Sequence, residues 1–258
     1  MTTVRAPSLF ASTPPALCEV DPACFWPWLT SPTIAGWSRP EETVVVIPMA
    51  GTADWGLGHP LDAEETVLMH VLKVACESLQ AAEKPLVVPP LRFVVGADPG
   101  CAFAVDPQAT HALVAEVVSS VAAAGFRKIV LLNASPWNEE ICGAAARDLR
   151  VSKGLHMFQI HLSALGLDFH PVRSKTRRDV QTLLTALCGA VPEETTPEAP
   201  APRAWGDETV RALPGPSLPL EAAAAEGGRI AASVGAQLAG LLSDIRRRAP
   251  LTAKITPV

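Results

Sequence analysis

Val44-Val45-Val46-Ile47-Pro48-Met49-Ala50-Gly51-Thr52-Ala53-Asp54-Trp55-Gly56-Leu57-Gly58-His59-Pro60-Leu61-Asp62-Ala63-Glu64 is the stretch that decides the fold. Four β-branched apolar residues run into a proline, which fits a strand buried on both faces and not an alternating surface strand. A loop of small and polar residues follows. Residues 64–82 then read as a helix, with Val67, Leu68, Val71, Leu72, Ala75 and Leu79 spaced along one buried face. In an α/β protein the loop after a buried strand is where backbone dipoles and side chains meet a ligand. Chemistry is sought there first.

Outward from this stretch, residues 86–90 read as a second strand that residues 91–95 extend, and residues 96–101 as a turn-rich loop. Asp106-Pro107 starts a helix over residues 107–124, with Leu113, Val117, Val118 and Val121 on its apolar face and Gly125 as its closing glycine. Residues 126–133 are the third strand. A loop over 134–138 leads into a helix at 139–150, with acidic residues in its first turn and arginines at its end, as the helix dipole favours. Residues 157–162 read as a strand, 179–187 as a helix, and 220–248 as an amphipathic helix or helix pair. Arg246-Arg247-Arg248 offsets the negative end of that last helix.

Strands alternating with helices, joined by right-handed crossovers, predict an α/β three-layer sandwich with a mainly parallel central sheet. The loops after the first and third strands then lie side by side at the carboxyl edge. The chain divides into an irregular amino-terminal arm (1–40), a core (41–188), a Pro/Glu/Thr/Ala-rich excursion (189–219) and a helix that completes the same domain (220–258). Trp26, Trp28 and Trp37 of the arm carry too much apolar surface to stay in water. They pack either on the domain itself or on a second subunit.

With 258 residues, 48% hydrophobic and 18% charged, the chain is large enough for one substantial core. A net charge of −5 gives no basis for binding nucleic acid or an anionic membrane. No apolar run approaches the roughly 18–20 residues of a membrane span. The first fifteen residues lack a signal-peptide layout, so a cytoplasmic location is expected. The six cysteines contain no CxxC pair and predict reduced thiols, and the absence of tyrosine removes any phenol acid or base.

Together the two loops give the chain a family likeness: it resembles the creatininase (creatinine amidohydrolase) superfamily, metal-dependent amide hydrolases on a parallel-sheet sandwich. The likeness covers residues 41–149, with a weaker echo over 228–241. The family's strand ends in Pro and continues Gly-Ser-x-Glu-Gln-His-Gly-Pro-His-Leu-Pro-Leu-x-x-Asp. Pro48, Gly56, Pro60 and Leu61 hold that register here. Later the family has Gly-Phe-Arg-Arg before a strand ending Asn-Gly-His-Gly-Gly-Asn. This chain has Gly125-Phe126-Arg127-Lys128, then Asn133-Ala134-Ser135-Pro136-Trp137-Asn138.

The resemblance implies metal ligands at positions occupied here by Ala53, Trp55, Glu64, Ser135 and Trp137, of which only Glu64 is a carboxylate. A divalent metal needs three or four converging N/O ligands. The family's Gly-His-Ala-Gly-x-x-Glu-Thr-Ser segment has no counterpart between residues 151 and 187. Trp55 and Trp137 are expected to plug the former site, each indole contributing roughly 2–3 kcal/mol or more on burial.

Other chemistry has weaker support. Asp54, His59, Asp62 and Glu64 lie within eleven residues and could form a relocated metal or acid/base site, or serve as loop and cap groups, Asp62 as N-cap. Cys101 could be a nucleophile with His59 or His111 as base, or a structural thiol. Ser135 lacks the setting of a nucleophile elbow. His156, His161 and His170 share no helix face, and no glycine-rich phosphate loop is present.

Three functions follow. The first is a creatininase-like chain without metal or other cofactor, a structural or regulatory subunit in a homo- or hetero-oligomer with creatininase-family chains. The second is an amide or cyclic-amide hydrolase with a rearranged site holding zinc or manganese, completed if need be by another chain. The third is a small-molecule binding module.

Overall fold

The computed structural model describes residue 20 and residues 22–55, 57–96, 101–191 and 217–249. Short helix α1 (Ser31–Ala35) precedes β1 (Val44–Ala50), β2 (Thr52–Ala53), α2 (Ala63–Ser78), β3 (Leu86–Val87), β4 (Leu91–Arg92) and β5 (Val94–Val95). There follow β6 (Cys101–Ala102), β7 (Ala104–Val105), α3 (Pro107–Ala123), β8 (Lys128–Asn133), α4 (Glu139–Lys153), β9 (His156–His161), α5 (Arg177–Cys188) and α6 (Leu220–Arg247).

The main sheet has the order β3-β1-β8-β9, with β4 pairing β1 beyond β3. All of its pairs are parallel, and β1 runs against β8 from Val44↔Lys128 to Met49↔Asn133. Every residue of β1 and β8 is buried. Val44, Val46, Val130 and Leu132 face one core with α2, α5 and α6. Val45, Ile47, Ile129 and Leu131 face the other with α3 and α4. A strand covered on both faces accounts for the unbroken apolar runs. The predicted three-layer α/β architecture is the one observed.

Several local expectations differ. The second strand is not continuous: Pro89 and Pro90 cannot donate to a ladder, so pairing with β1 lapses between β3 and β4. β5 then leaves the sheet to pair with β7. Helix α2 stops at Ser78, where Leu79 turns extended, although all six predicted core residues are buried. On α3 the buried face is Thr110, Val114, Val118 and Val121. Leu113, expected inside, is 45% exposed because it lies about 100° around the helix from Val114. Strand β9 begins one residue early, α5 two residues early, and α6 is one uninterrupted helix.

The end of α6 is held by an unforeseen group. Lys128 of β8, almost fully buried, donates from Nζ to the carbonyls of Arg246 and Arg248. Arg247 instead bonds Ser243 and Asp244. In the arm, Trp26 and Trp37 pack on the domain's own Phe126, with ring centroids 5.3 and 6.2 Å away. The Trp37 indole donates to Thr43 Oγ1 at 3.0 Å, whereas Trp28 is 55% exposed. Most of the Pro-rich excursion, residues 192–216, lies outside the described residues, as do 1–19 of the arm.

Candidate functional site

At the carboxyl edge of the sheet the loop after β8 is tied to the end of β1 and to the β4–β5 segment. Ala134 N–H donates to the Met49 carbonyl, Asn138 Nδ2 to the Phe93 carbonyl, and Val95 N–H to Asn138 Oδ1. Gly51 makes the turn out of β1 where a Cβ would stand 2.1 Å from Val94 Cγ2, so no side chain fits. That close approach aims the Gly51 N–H at Glu64, in the first turn of α2.

Glu64 is wholly buried, and both of its oxygens are engaged. Oε2 accepts from the Gly51 N–H, and Oε1 from the Trp55 indole N–H at 2.7 Å. Burial raises its pKa to about 7, against the pull of those two donors and of the nearby Ser135 hydroxyl. Ser135 Oγ lies near enough to act on Glu64 but meets no partner in hydrogen-bond geometry among the described residues. Ser135 is fixed through its backbone, its N–H donating to Asn133 Oδ1 and its carbonyl accepting from Asn133 Nδ2.

Trp55 is 2% exposed and sits 6.1 Å from the Trp137 ring and 6.3 Å from Phe169. Trp137 is half-buried, lies 5.0 Å from the His170 ring, and has a buried indole N–H that meets no partner among the described residues. Buried Arg177, from the start of α5, donates to the carbonyls of Trp55 (2.6 Å) and Phe169 (3.0 Å). Of the positions singled out by sequence, Trp55 and Ser135 stand at the Glu64 carboxyl and Trp137 lies against Trp55, while Ala53 donates its N–H to the Leu61 carbonyl. Trp55 is thus buried and Trp137 half-buried beside it.

The other candidates do not share that centre. His59 is turned to Thr185 Oγ1 of α5 at 3.2 Å, and burial lowers its pKa to about 4, so it is neutral. Asp54 is exposed. Asp62 occupies the N-cap position of α2 but makes no capping hydrogen bond, and burial raises its pKa. Cys101 pairs through its backbone with Ala53, while His111 faces Asp148 at 3.4 Å. His161 Nδ1 contacts Asn133 Nδ2, and His170 Nδ1 accepts from the Val172 and Arg173 N–H groups.

Three polar contacts have no signal in the sequence: the Arg177 clamp, the two-pronged Arg92–Glu65 pair (2.6 and 2.8 Å), and Arg173 bridging Glu139 and Asp168. Each joins residues from separate elements. No spacing rule connects them.

A metal of the kind the family uses does not fit this donor set. An indole nitrogen carries a hydrogen and offers no lone pair, alanine has nothing to give, and the one carboxylate is spent on two N–H donors. Among the described residues no three His, Cys, Asp or Glu side chains are grouped to hold a metal ion.

The family model described as creatinine amidohydrolase matches residues 28–183. No sequence among curated proteins matches. Among solved structures, a Bacteroides fragilis NCTC 9343 protein provisionally described as a creatinine amidohydrolase is 16% identical, with a TM-score of 0.64 over 89% of this chain and 99% of that one. A creatinine amidohydrolase (creatininase) aligns at 18% identity and TM-score 0.62 over 88% and 99%. A creatininase described with Mn aligns at 16% and 0.61 over 87% and 99%. At these identities the structures speak for the fold alone, and they agree with the family match, which spans more than half the sequence. This chain belongs to the creatininase family.

Proposed function

We propose that this chain has given up the family's metal centre and serves as a non-catalytic structural or regulatory subunit, assembled with other creatininase-family chains. One observation carries the reading: at the position where the family would hold a cation, Glu64 is sealed inside with both oxygens satisfied by Gly51 and Trp55. Freeing that carboxylate for a metal would break two hydrogen bonds and expel a buried indole. Loss of buried partners of this kind costs about 1–3 kcal/mol each.

A specific observation supports the binding-module reading beside it. A groove of about 840 Å³ opens next to Trp137, bordered by Val95, Pro107, Glu139 and Arg147. Its size suits a small organic ligand.

The test is metal analysis of purified protein after incubation with zinc or manganese and dialysis, together with creatinine hydrolysis and native mass measurement, alone and mixed with an active relative. Expected are no stoichiometric metal, no turnover, and co-assembly. Stoichiometric metal with hydrolysis abolished by His59→Ala or Asp62→Ala would instead establish the rearranged hydrolase. A copurified small molecule displaced by Trp137→Ala would establish the binding module.

A further inference from the structure

Helix α6 seats one side against α2 and α5 through Val234, Leu238, Leu242 and Ile245. Its other side faces outward, where Ala232, Ser233, Ala236, Gln237, Gly240 and Leu241 are all exposed. From residue 230 to residue 243 no side chain carries a charge. That is a length of about 21 Å along the axis. Charge returns only at the borders: Glu226 pairs with Arg229 on one side, and Asp244 with Arg247 on the other.

The bland explanation is that the alanines serve helix propensity and the border pairs serve solubility. Gly240 argues against it. Glycine disfavours a helix more than any residue but proline, and no described atom lies within 4 Å of where its Cβ would stand. Helix stability does not account for it, and neither does packing among the described residues. A helix face that meets only water also carries charged side chains along its length. Small residues instead let a second helix come close, with axes about 8 Å apart.

The order of the charges says which helix that is. Glu226, Arg229, Ser233, Ala236, Gly240, Asp244 and Arg247 follow one another by steps of three or four and so form one stripe. A two-fold axis between Ala236 and Gln237 lays this stripe antiparallel on a second copy of itself. Arg229 then meets the partner's Asp244, Glu226 the partner's Arg247, Ser233 the partner's Gly240 and Ala232 the partner's Leu241. Every charged contact is opposite in sign, and the symmetry makes each one twice. A parallel pairing would set like against like at all four charged positions. Antiparallel packing also opposes the two helix dipoles.

We propose that α6 is the contact through which two copies of this chain pair antiparallel about that two-fold axis. The inference rests on the assembly half of the proposed function and not on the loss of metal. One helix pair falls at the small end of protein interfaces, below about 1,200 Å², so the dimer is weak and reversible, with a dissociation constant in the micromolar range.

The experiment is analytical ultracentrifugation of the full chain across concentrations, with two charge variants, Arg229→Asp and Asp244→Arg. Each alone is expected to weaken self-association about tenfold or more, because like charges then meet at both ends of the contact. Mixed together, the two are expected to pair with each other as well as the unaltered chain pairs with itself. A merely destabilised helix would not be rescued by mixing. Ala236→Cys is expected to form a disulfide-linked dimer on mild oxidation, since the two copies of that position lie about 1.5 Å apart along the axis. Ala225→Cys, with its copies about 35 Å apart, is expected to add no cross-link. A monomer at every concentration overturns the proposal; if the thiol introduced at position 236 is then shielded from maleimide, the face belongs to residues 192–216 of the same chain. Equal cross-linking of the two cysteine variants, or no rescue on mixing, overturns it as well. Pairing with an active relative but never with itself would do so too, while leaving the proposed function standing.

Discussion

At Glu64, burial and hydrogen bonding pull in opposite directions, and burial wins. The folded chain keeps that proton up to about pH 7, whereas an exposed glutamate releases it near 4.5. Across that interval the folded state holds more protons than the unfolded one, so this group's stabilisation is full below about 4.5 and is lost as pH rises to about 7. The loss is on the order of 3 kcal/mol. Glu64→Gln is expected to flatten this part of the pH–stability curve, measured as urea midpoints across and above the interval. An unchanged slope would assign the effect to another group. Positions 53, 55, 64, 135 and 137 were singled out because Pro48, Gly56, Pro60 and Leu61 hold the register of the first loop, and Gly125-Phe126-Arg127 with Asn133 that of the second. That the loops after the first and third strands are neighbours was legible from the parallel topology. Arg177 was not: it meets Trp55 across the fold, and no local pattern links a helix start to a distant loop carbonyl.

At the scale of the element, α6 shows how context reverses the sign of one substitution. A Cβ at Gly235 would stand 2.5 Å from Val74 Cγ1 of α2, and one at Gly227 2.6 Å from the Ala186 Cβ of α5. Gly228 and Gly240 have nothing within 4 Å. Glycine costs a helix roughly 0.8–1.0 kcal/mol relative to alanine. Gly228→Ala and Gly240→Ala are therefore expected to stabilise the protein by up to about that amount. Gly235→Ala is expected to destabilise it by about 1–3 kcal/mol through overpacking. Chemical denaturation of the three variants checks this, and the same sign for all three would refute the close-packing account. Periodicity placed α2, α3 and α6 and oriented α2, but it did not orient α3 finely. Leu113 and Val114 are both apolar, and it is Val114 that joins the core formed by the sheet and α4. The break at Pro89-Pro90 was, by contrast, written in the residues: two consecutive prolines cannot continue a ladder.

For the whole molecule, the layered architecture was readable because both predicted strand cores are continuous apolar runs and the helices between them are strongly patterned. What could not be read was which helices the last one packs against. Val234, Leu238, Leu242 and Ile245 of α6 share a core with Leu68 and Leu72 of α2 and Leu183 and Leu184 of α5. Removing residues 220–258 is expected to abolish cooperative unfolding and leave a dye-binding, partly ordered chain. Thermal melting by circular dichroism tests this; a sharp transition in the shortened protein would show that the first 219 residues fold alone. Among six tryptophans, Trp28 stands in solvent, while Trp55 shares its indole hydrogen with the carboxyl that ionises near neutrality. The emission colour of Trp55 therefore tracks that ionisation, and an aqueous quencher silences Trp28 before reaching it, so the protein carries its own optical gauge of the buried proton.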